Sequence, residues 1–162
     1  VTSAVAGGGR LRDDLCVPAR IYSVGYEGFE LKGLIETLVA ANVSLVVDVR
    51  LTPRSRKPGF SAKPLSAELG KAGIAYRHEV DLGNPADNRD AFRRGDAEEG
   101  RRRLRWLLSN GAGPALERLV QDSRKGHVAV LCVERSPLRC HREVVTDMAR
   151  EIDPTIEVRP IL

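Results

Sequence analysis

Two short runs constrain this chain more than anything else in it: SLVVDV at 44–49 and VAVLCV at 128–133. Each is apolar at nearly every position, where a strand with one wet face would alternate. Runs this short, bounded by polar turns, read as strands covered on both faces, and such strands belong to a parallel sheet between two layers of helix. The rest of the chain supplies those layers. Leu31, Leu34, Ile35, Leu38 and Val39 fall at i, i+3, i+4, i+7 and i+8, one apolar face of a helix that stops near Asn42. Further strands are predicted at 20–24, 74–77 and 155–158, and further helices at 64–73, around Leu104–Leu108, from Pro114 onward, and from Ser136 to Ile152. In the last, Ser136 is expected as the N-cap, with Pro137 at the first helical position. Strands alternating with helices over 162 residues give a single three-layer α/β sandwich with a mainly parallel sheet of about five strands at 20–162.

Two segments fall outside that pattern. Residues 1–19 open with small residues and the run Gly7-Gly8-Gly9, and read as a flexible arm. Residues 78–100 are polar and charged, and read as an irregular insertion or lid. No run approaches the ~20 apolar residues that a membrane span needs, and no apolar signal core follows a basic start. A cytoplasmic location without membrane association is therefore expected. Cys16, Cys132 and Cys140 are too few for a disulfide framework and are expected as free thiols.

The net charge is +4, and the basic residues are mostly arginine, whose planar fork suits phosphate and carboxylate. That permits a nucleic-acid partner without establishing one. Three Tyr, three Phe and one Trp are too few for an extended base-stacking surface.

In an open parallel sheet, ligands bind beyond the carboxyl ends of the strands. Those ends carry Gly25–Gly28, Asp48–Ser55, Arg77–Gly83 and Cys132–Arg142, all rich in polar residues or glycine. Cys140, placed in the first turn of a helix beside Arg139 and Arg142, is the expected reactive thiolate, because a helix N-terminus and nearby cations lower a thiol pKa. Cys132, inside a strand, is expected in the core. His141 has the titration range of a general acid or base. His78 could serve likewise from the end of the third strand, and His127 looks structural. Asp48, a charge within an apolar run, requires a partner or a role. Arg50, Arg54, Arg135 and Arg142, with Tyr26, Ser55 and Glu134, are expected to bind an anionic substrate. Gly25-x-x-Gly28 is neither a Walker loop nor a dinucleotide fingerprint, and a phosphatase loop is excluded because Cys132 to Arg139 is one residue too long. No metal and no cofactor are expected: seven residues separate the cysteines, unlike strong zinc patterns, and adjacent Cys140 and His141 would diverge on a helix.

Four stretches carry a family resemblance: IYSVGYEGFELKGLIETL (21–38), VVDVRLTPRSRKPGFS (46–61), IAYRHEVDLGNP (74–85) and VLCVERSPLRCHREVV (130–145). A D-V-R-x-x-P-x-S block joined to a late C-x-E-x(5)-C-H-R block resembles the domain-of-unknown-function 488 family. Many of its members carry Gly-His-Ser where this chain has Gly25-Tyr26-Glu27. The resemblance implies a compact α/β domain with a shared polar edge and no established reaction. The matching positions are Asp48, Arg50, Pro53, Ser55, Cys132, Glu134, Cys140, His141 and Arg142. The D-V-R at a strand end is also similar to rhodanese-like domains, as a fold-level analogy.

Two functional expectations follow. One is an enzyme acting on an anionic small substrate, phosphate-bearing or sulfur-bearing, through a Cys/His/Arg site with Cys140, His141 and Asp48 catalytic. The other is a nucleic-acid or nucleotide binding module without catalysis, built on the basic 50–57 loop and the Arg101–Arg105 run, with both cysteines structural. A third account makes the arginines a solvated surface carrying charge pairs. Oligomeric state is not indicated.

Overall fold

A computed structural model describes residues 18–162. The arm expected at 1–19 and Cys16 therefore fall almost wholly outside the described residues. Five strands alternate with six helices: β1 (Arg20–Gly25), α1 (Leu31–Ala40), β2 (Val43–Asp48), α2 (Ala62–Lys71), β3 (Ala75–His78), α3 (Ala86–Arg93), α4 (Ala97–Gly111), α5 (Gly113–Lys125), β4 (His127–Cys132), α6 (Arg142–Ile152) and β5 (Glu157–Ile161). The sheet is all parallel in the order β3-β2-β4-β1-β5. The α/β sandwich expected from the apolar runs is the fold observed.

The two uniformly apolar runs form β2 and β4, and β4 is the central strand. Along β4 the side chains alternate between the two cores. Val128, Val130 and Cys132 join one with α4, α5 and α6, while Ala129 and Leu131 join the other with α1 and α2. The edges are a four-residue strand, β3, and a strand interrupted by Pro160, β5, both poor templates for further pairing.

Chain exits fix where a ligand can lie. β1 and β2 lead into α1 and α2 on one face, whereas β4, between them, leads into α6 on the other. Neighbouring strands whose connections leave in opposite directions open a crevice at their carboxyl ends. Cys132 is the last residue of β4, at that switch point.

Residues 78–100 are not irregular. They contain a 3-10 turn at Val80–Leu82, the eight-residue helix α3 and the start of α4. Asn88, buried in α3, ties the segment down by donating to Asn84 Oδ1 at 2.8 Å and to the Gly100 carbonyl at 2.9 Å. Its polar sequence concealed the helix because only Ala91 and Phe92 supply its apolar contact. No helix among the described residues is long and apolar enough to cross a membrane.

Candidate active site

Beyond Cys132, Ser136 and Pro137 stand at the N-cap and first positions expected of them, but of a single 3-10 turn and not of α6, and Ser136 makes no side-chain cap bond. Pro137–Arg139 form one 3-10 turn, Cys140 is extended (φ −129°, ψ 148°), and α6 begins at Arg142 with His141 as its N-cap. Tertiary contacts hold this detour. Arg101 Nη2 donates to the Leu138 carbonyl at 2.7 Å, and Arg142 Nη2 donates to the Glu134 carbonyl at 2.7 Å. The exit of β1 runs alongside: Tyr26 and Glu27 N–H groups donate to the Cys132 and Val133 carbonyls at 3.2 and 2.9 Å. The Glu27 carboxylate in turn accepts from the Arg135 N–H at 3.0 Å. Here Gly25 is required, since a Cβ on it would stand 1.8 Å from the Glu134 carbonyl oxygen.

The detour changes what Cys140 and His141 can do together. On one helix they would diverge; with Cys140 extended, both turn to one point. His141 Nε2 lies 2.9 Å from the Val49 carbonyl, which can only accept, so Nε2 carries a proton and donates it. Nδ1 then faces both sulfurs, 3.7 Å from Cys140 Sγ and 3.8 Å from Cys132 Sγ. The three atoms lie within 4.8 Å of one another. Cys132 Sγ also donates to Glu134 Oε2 at 3.3 Å. Cys132 is thus part of the cluster as well as of the core, where sequence had placed it alone. Two thiols and an imidazole are also the donor types that hold a soft divalent ion. Divergence on a helix, one of the two grounds for expecting no metal, does not occur.

The cluster is polarised. Burial pushes the Cys140 thiol up, but hydrogen bonds from Cys132 and His141 and the charges of His141 and Arg142 outweigh it and hold it well below the usual thiol range. Cys132 moves the other way, raised by its hydrogen bond to Cys140 and by burial. For His141, burial favours the neutral ring, yet the hydrogen bond and charge of Cys140 raise its pKa. Burial and then the Cys140 charge raise Glu134. Cys140 precedes the N-cap of α6 instead of lying in its first turn, and Cys132, His141 and Arg142 are the neighbours that lower it.

A second layer supports the first. Asp48 has no solvent exposure and grips Arg50, with Arg50 Nε 2.8 Å from Oδ1 and Nη2 2.5 Å from Oδ2. The Tyr76 hydroxyl donates to Asp48 Oδ2 at 2.7 Å; burial and then the bond to Asp48 raise its pKa. Arg50 Nη1 donates to the Phe60 carbonyl at 2.9 Å and to the Tyr26 hydroxyl at 3.3 Å, and Tyr26 stacks on Phe60. Despite burial, the Asp48 carboxylate raises the Arg50 pKa, so the guanidinium stays charged. The Tyr26 hydroxyl lies 3.3 Å from Ser55 Oγ, and His78 Nε2 lies 2.7 Å from the Arg50 carbonyl. His127 contacts the Ala41 carbonyl at the far end of β4, away from the site.

Over the cluster opens a cavity of about 770 Å³. Of the residues expected at the site, Arg50, Arg54, Glu134, Arg135, Cys140 and His141 line it. Asp48, Tyr26, Ser55 and Arg142 do not. The first three form the layer behind Arg50, and Arg142 is buried beneath the loop. Asp48 is therefore placed to position Arg50 rather than to touch a substrate. Cys132 and Arg139, inside the expected strand-end stretch but given no substrate role there, also line the cavity, as do Arg89 and Arg93, which were not expected at the site. The signal for Arg89 and Arg93 was their i,i+4 spacing, legible only once α3 is recognised as a helix.

The Arg101–Arg105 run is engaged within the molecule. Arg101 pairs with Glu143 at 2.6 Å and Arg105 with Glu151 at 2.6 Å, while Arg102 and Arg103 pair with Glu99 and Asp87. These pairs mostly join different helices.

Residues 30–149 match one family, described as Domain of unknown function DUF488. No curated protein and no solved structure gives a significant match to the chain.

Proposed function

The chain belongs to the DUF488 family, whose description carries no reaction, and from the site's geometry we propose that it is an enzyme acting on an anionic small substrate, phosphate-bearing or sulfur-bearing. The observation that carries this reading is the placement of Cys132, Cys140 and His141 on one side of a cavity that also receives Arg50, Arg54, Arg89, Arg93, Arg135 and Arg139. Four of these six, Arg54, Arg89, Arg135 and Arg139, form no ion pair within the described residues and offer forked donors to a phosphate or sulfur oxyanion. Arg50 is the fixed member, held by Asp48; the others are side chains of the rim. The Cys/His cluster supplies the reacting groups, with Cys140 the sulfur most able to carry negative charge and His141 able to hold or release a proton at Nδ1.

Calorimetric titration of the full chain with sulfate and with phosphate tests the anion site. Arg54→Gln with Arg135→Gln, both exposed on the rim, are expected to weaken binding at least ~10-fold, since one hydrogen bond to a charged group contributes about 1.5–3 kcal/mol. Unchanged affinity in that double variant would refute the site. Catalysis is read by offering phosphate monoesters, sulfate esters and thiosulfate. Cys140→Ala is expected to abolish any turnover while leaving anion binding intact, and turnover that survives it would remove the cluster from the reaction.

A further inference from the structure

We infer that Cys132, Cys140 and His141 form a zinc site, with its fourth position opening on the cavity and reachable by Glu134. Around a tetrahedral zinc, with Zn–S about 2.3 Å and Zn–N about 2.0–2.1 Å, adjacent sulfur and nitrogen ligands stand about 3.6 Å apart, and sulfur and oxygen about 3.5 Å. Here Nδ1 is 3.7 and 3.8 Å from the two sulfurs, and Glu134 Oε2 is 3.3 Å from Cys132 Sγ. A hydrogen-bonded cluster does not require this symmetry. One nitrogen lone pair accepts one proton, so a thiol–imidazole bond would draw one sulfur closer than the other. Near-equal distances from Nδ1 to both sulfurs suit a shared central ion, and the sulfurs, within 4.8 Å of each other, would draw together to the ~3.8 Å that two sulfurs on one tetrahedral zinc keep.

Two further observations agree. The His141 Nε2 bond to the Val49 carbonyl fixes the ring so that Nδ1 is the free ligand atom, the usual outer contact of a metal-bound histidine. Arg142 is the second. It has no solvent exposure, and among the described residues its only acceptors are the Glu134 and Arg135 carbonyls, at 2.7 and 3.4 Å, and its Nε and Nη1 have no partner. A buried, unpaired cation needs a nearby anion. Two ligand thiolates and the Glu134 carboxylate sum to one negative charge more than a divalent ion neutralises, and the buried Arg142 beside the loop supplies the remaining positive charge. Thiolate and imidazole donors select zinc over the oxygen-seeking cations. Because all four donor residues line the cavity, the ion would present an open side to an anion held by the rim arginines. That role toward a substrate rests on the reading of the cavity as a reaction site; the ion's binding does not, and with the ion bound Cys140 Sγ and His141 Nδ1 serve as its ligands rather than as reacting sulfur and proton carrier.

The test uses the full chain with Cys16→Ser, so that only two thiols remain, reduced and freed of metal by a chelator. Titration with Co²⁺ is expected to give one equivalent bound, with the ligand-field bands of tetrahedral cobalt and a thiolate-to-cobalt charge-transfer band. Zn²⁺ is expected to erase both, and to slow labelling of both thiols by a disulfide reagent at least ~10-fold. Cys140→Ser is expected to lose charge-transfer intensity with one of the two thiolates, and His141→Ala to lose the tight one-equivalent stoichiometry. Should either fail to fold, the cobalt spectrum and zinc protection of the parent chain decide alone. Octahedral or absent cobalt bands, or thiols labelled equally fast with and without Zn²⁺, would overturn the site. Metal binding without any sulfate or phosphate binding supports the ion and defeats the substrate reading, whereas anion binding without metal does the reverse.

Discussion

Asp48 shows how a charge inside an apolar run is accommodated. It lies in β2 with no exposure, and its two oxygens are occupied by the Arg50 fork, the Arg50 N–H and the Tyr76 hydroxyl. The sequence demanded a partner for this carboxylate, and Arg50, two residues on, was within reach. Tyr76 was not legible as a partner, because it arrives from β3 through sheet register, Val46 beside Tyr76. Asp48→Asn leaves Arg50 buried without its counter-charge, and loss of one member of a buried pair costs about 3–5 kcal/mol. Tyr76→Phe removes one hydrogen bond to a charged group and is expected to cost about 1.5–3 kcal/mol. Urea unfolding measures both, and Tyr76→Phe proving the more damaging would contradict this order. Gly25→Ala tests the close approach between strand exits. Its methyl would meet the Glu134 backbone rather than a movable side chain, so an overpacking loss of about 1–3 kcal/mol is expected together with weaker sulfate binding.

Elements were legible where apolar spacing set them and obscure where long-range contacts did. The strands and α1 follow from their runs and stripes. The 3-10 turn at Pro137–Arg139 does not, because Ser-Pro followed by a helical pattern satisfies every local rule for a helix start. What defeats that start is Arg101, 37 residues upstream, donating to the Leu138 carbonyl, with Arg142 gripping the loop from within. The misplaced start also hid the convergence of Cys140 and His141. At the other end of α6 the connection to β5 depends on Asp153. Its carboxylate accepts from the Thr155 hydroxyl at 2.6 Å and the Thr155 N–H at 3.0 Å, and pairs with Arg124 of α5 at 2.7 Å. These contacts, the Thr155 hydroxyl foremost, hold its pKa below the ordinary carboxylate range. A group depressed on folding contributes stability above its unfolded pKa and loses it as pH falls through its folded pKa. Asp153→Asn is therefore expected to lower the thermal midpoint at neutral pH, with the gap to the parent chain closing as the solution becomes acidic. A gap that widens toward acid would reverse the sign assigned to Asp153.

At the scale of the whole molecule, ion pairing separates arginines that composition counts alike. Arg101, Arg102, Arg103, Arg105 and Arg124, on helices away from the cavity, are spent on carboxylates of the same chain. Among those around the cavity, Arg54, Arg89, Arg135 and Arg139 form no ion pair within the described residues. Composition alone gave a mild positive balance, because it could not say which arginines were already neutralised; only the fold sorts them. Crowded like charges repel one another in the folded state, and an anion bound among them relieves that repulsion as well as adding contacts. Ligand that binds only the folded chain raises its stability by RT ln(1 + [L]/Kd), about 2.7 kcal/mol at a hundredfold excess over Kd. Sulfate is therefore expected to raise the urea midpoint along that saturating curve. Sodium chloride at equal ionic strength should produce no saturation, since it screens the rim without bridging it. Sulfate also strengthens apolar burial in any protein, so the deciding measurement is the difference between the parent chain and the Arg54→Gln, Arg135→Gln variant. That general effect is common to both and cancels. A residual stabilisation that saturates at the calorimetric Kd assigns the free arginines to an anion; a residual of zero returns them to the solvated surface.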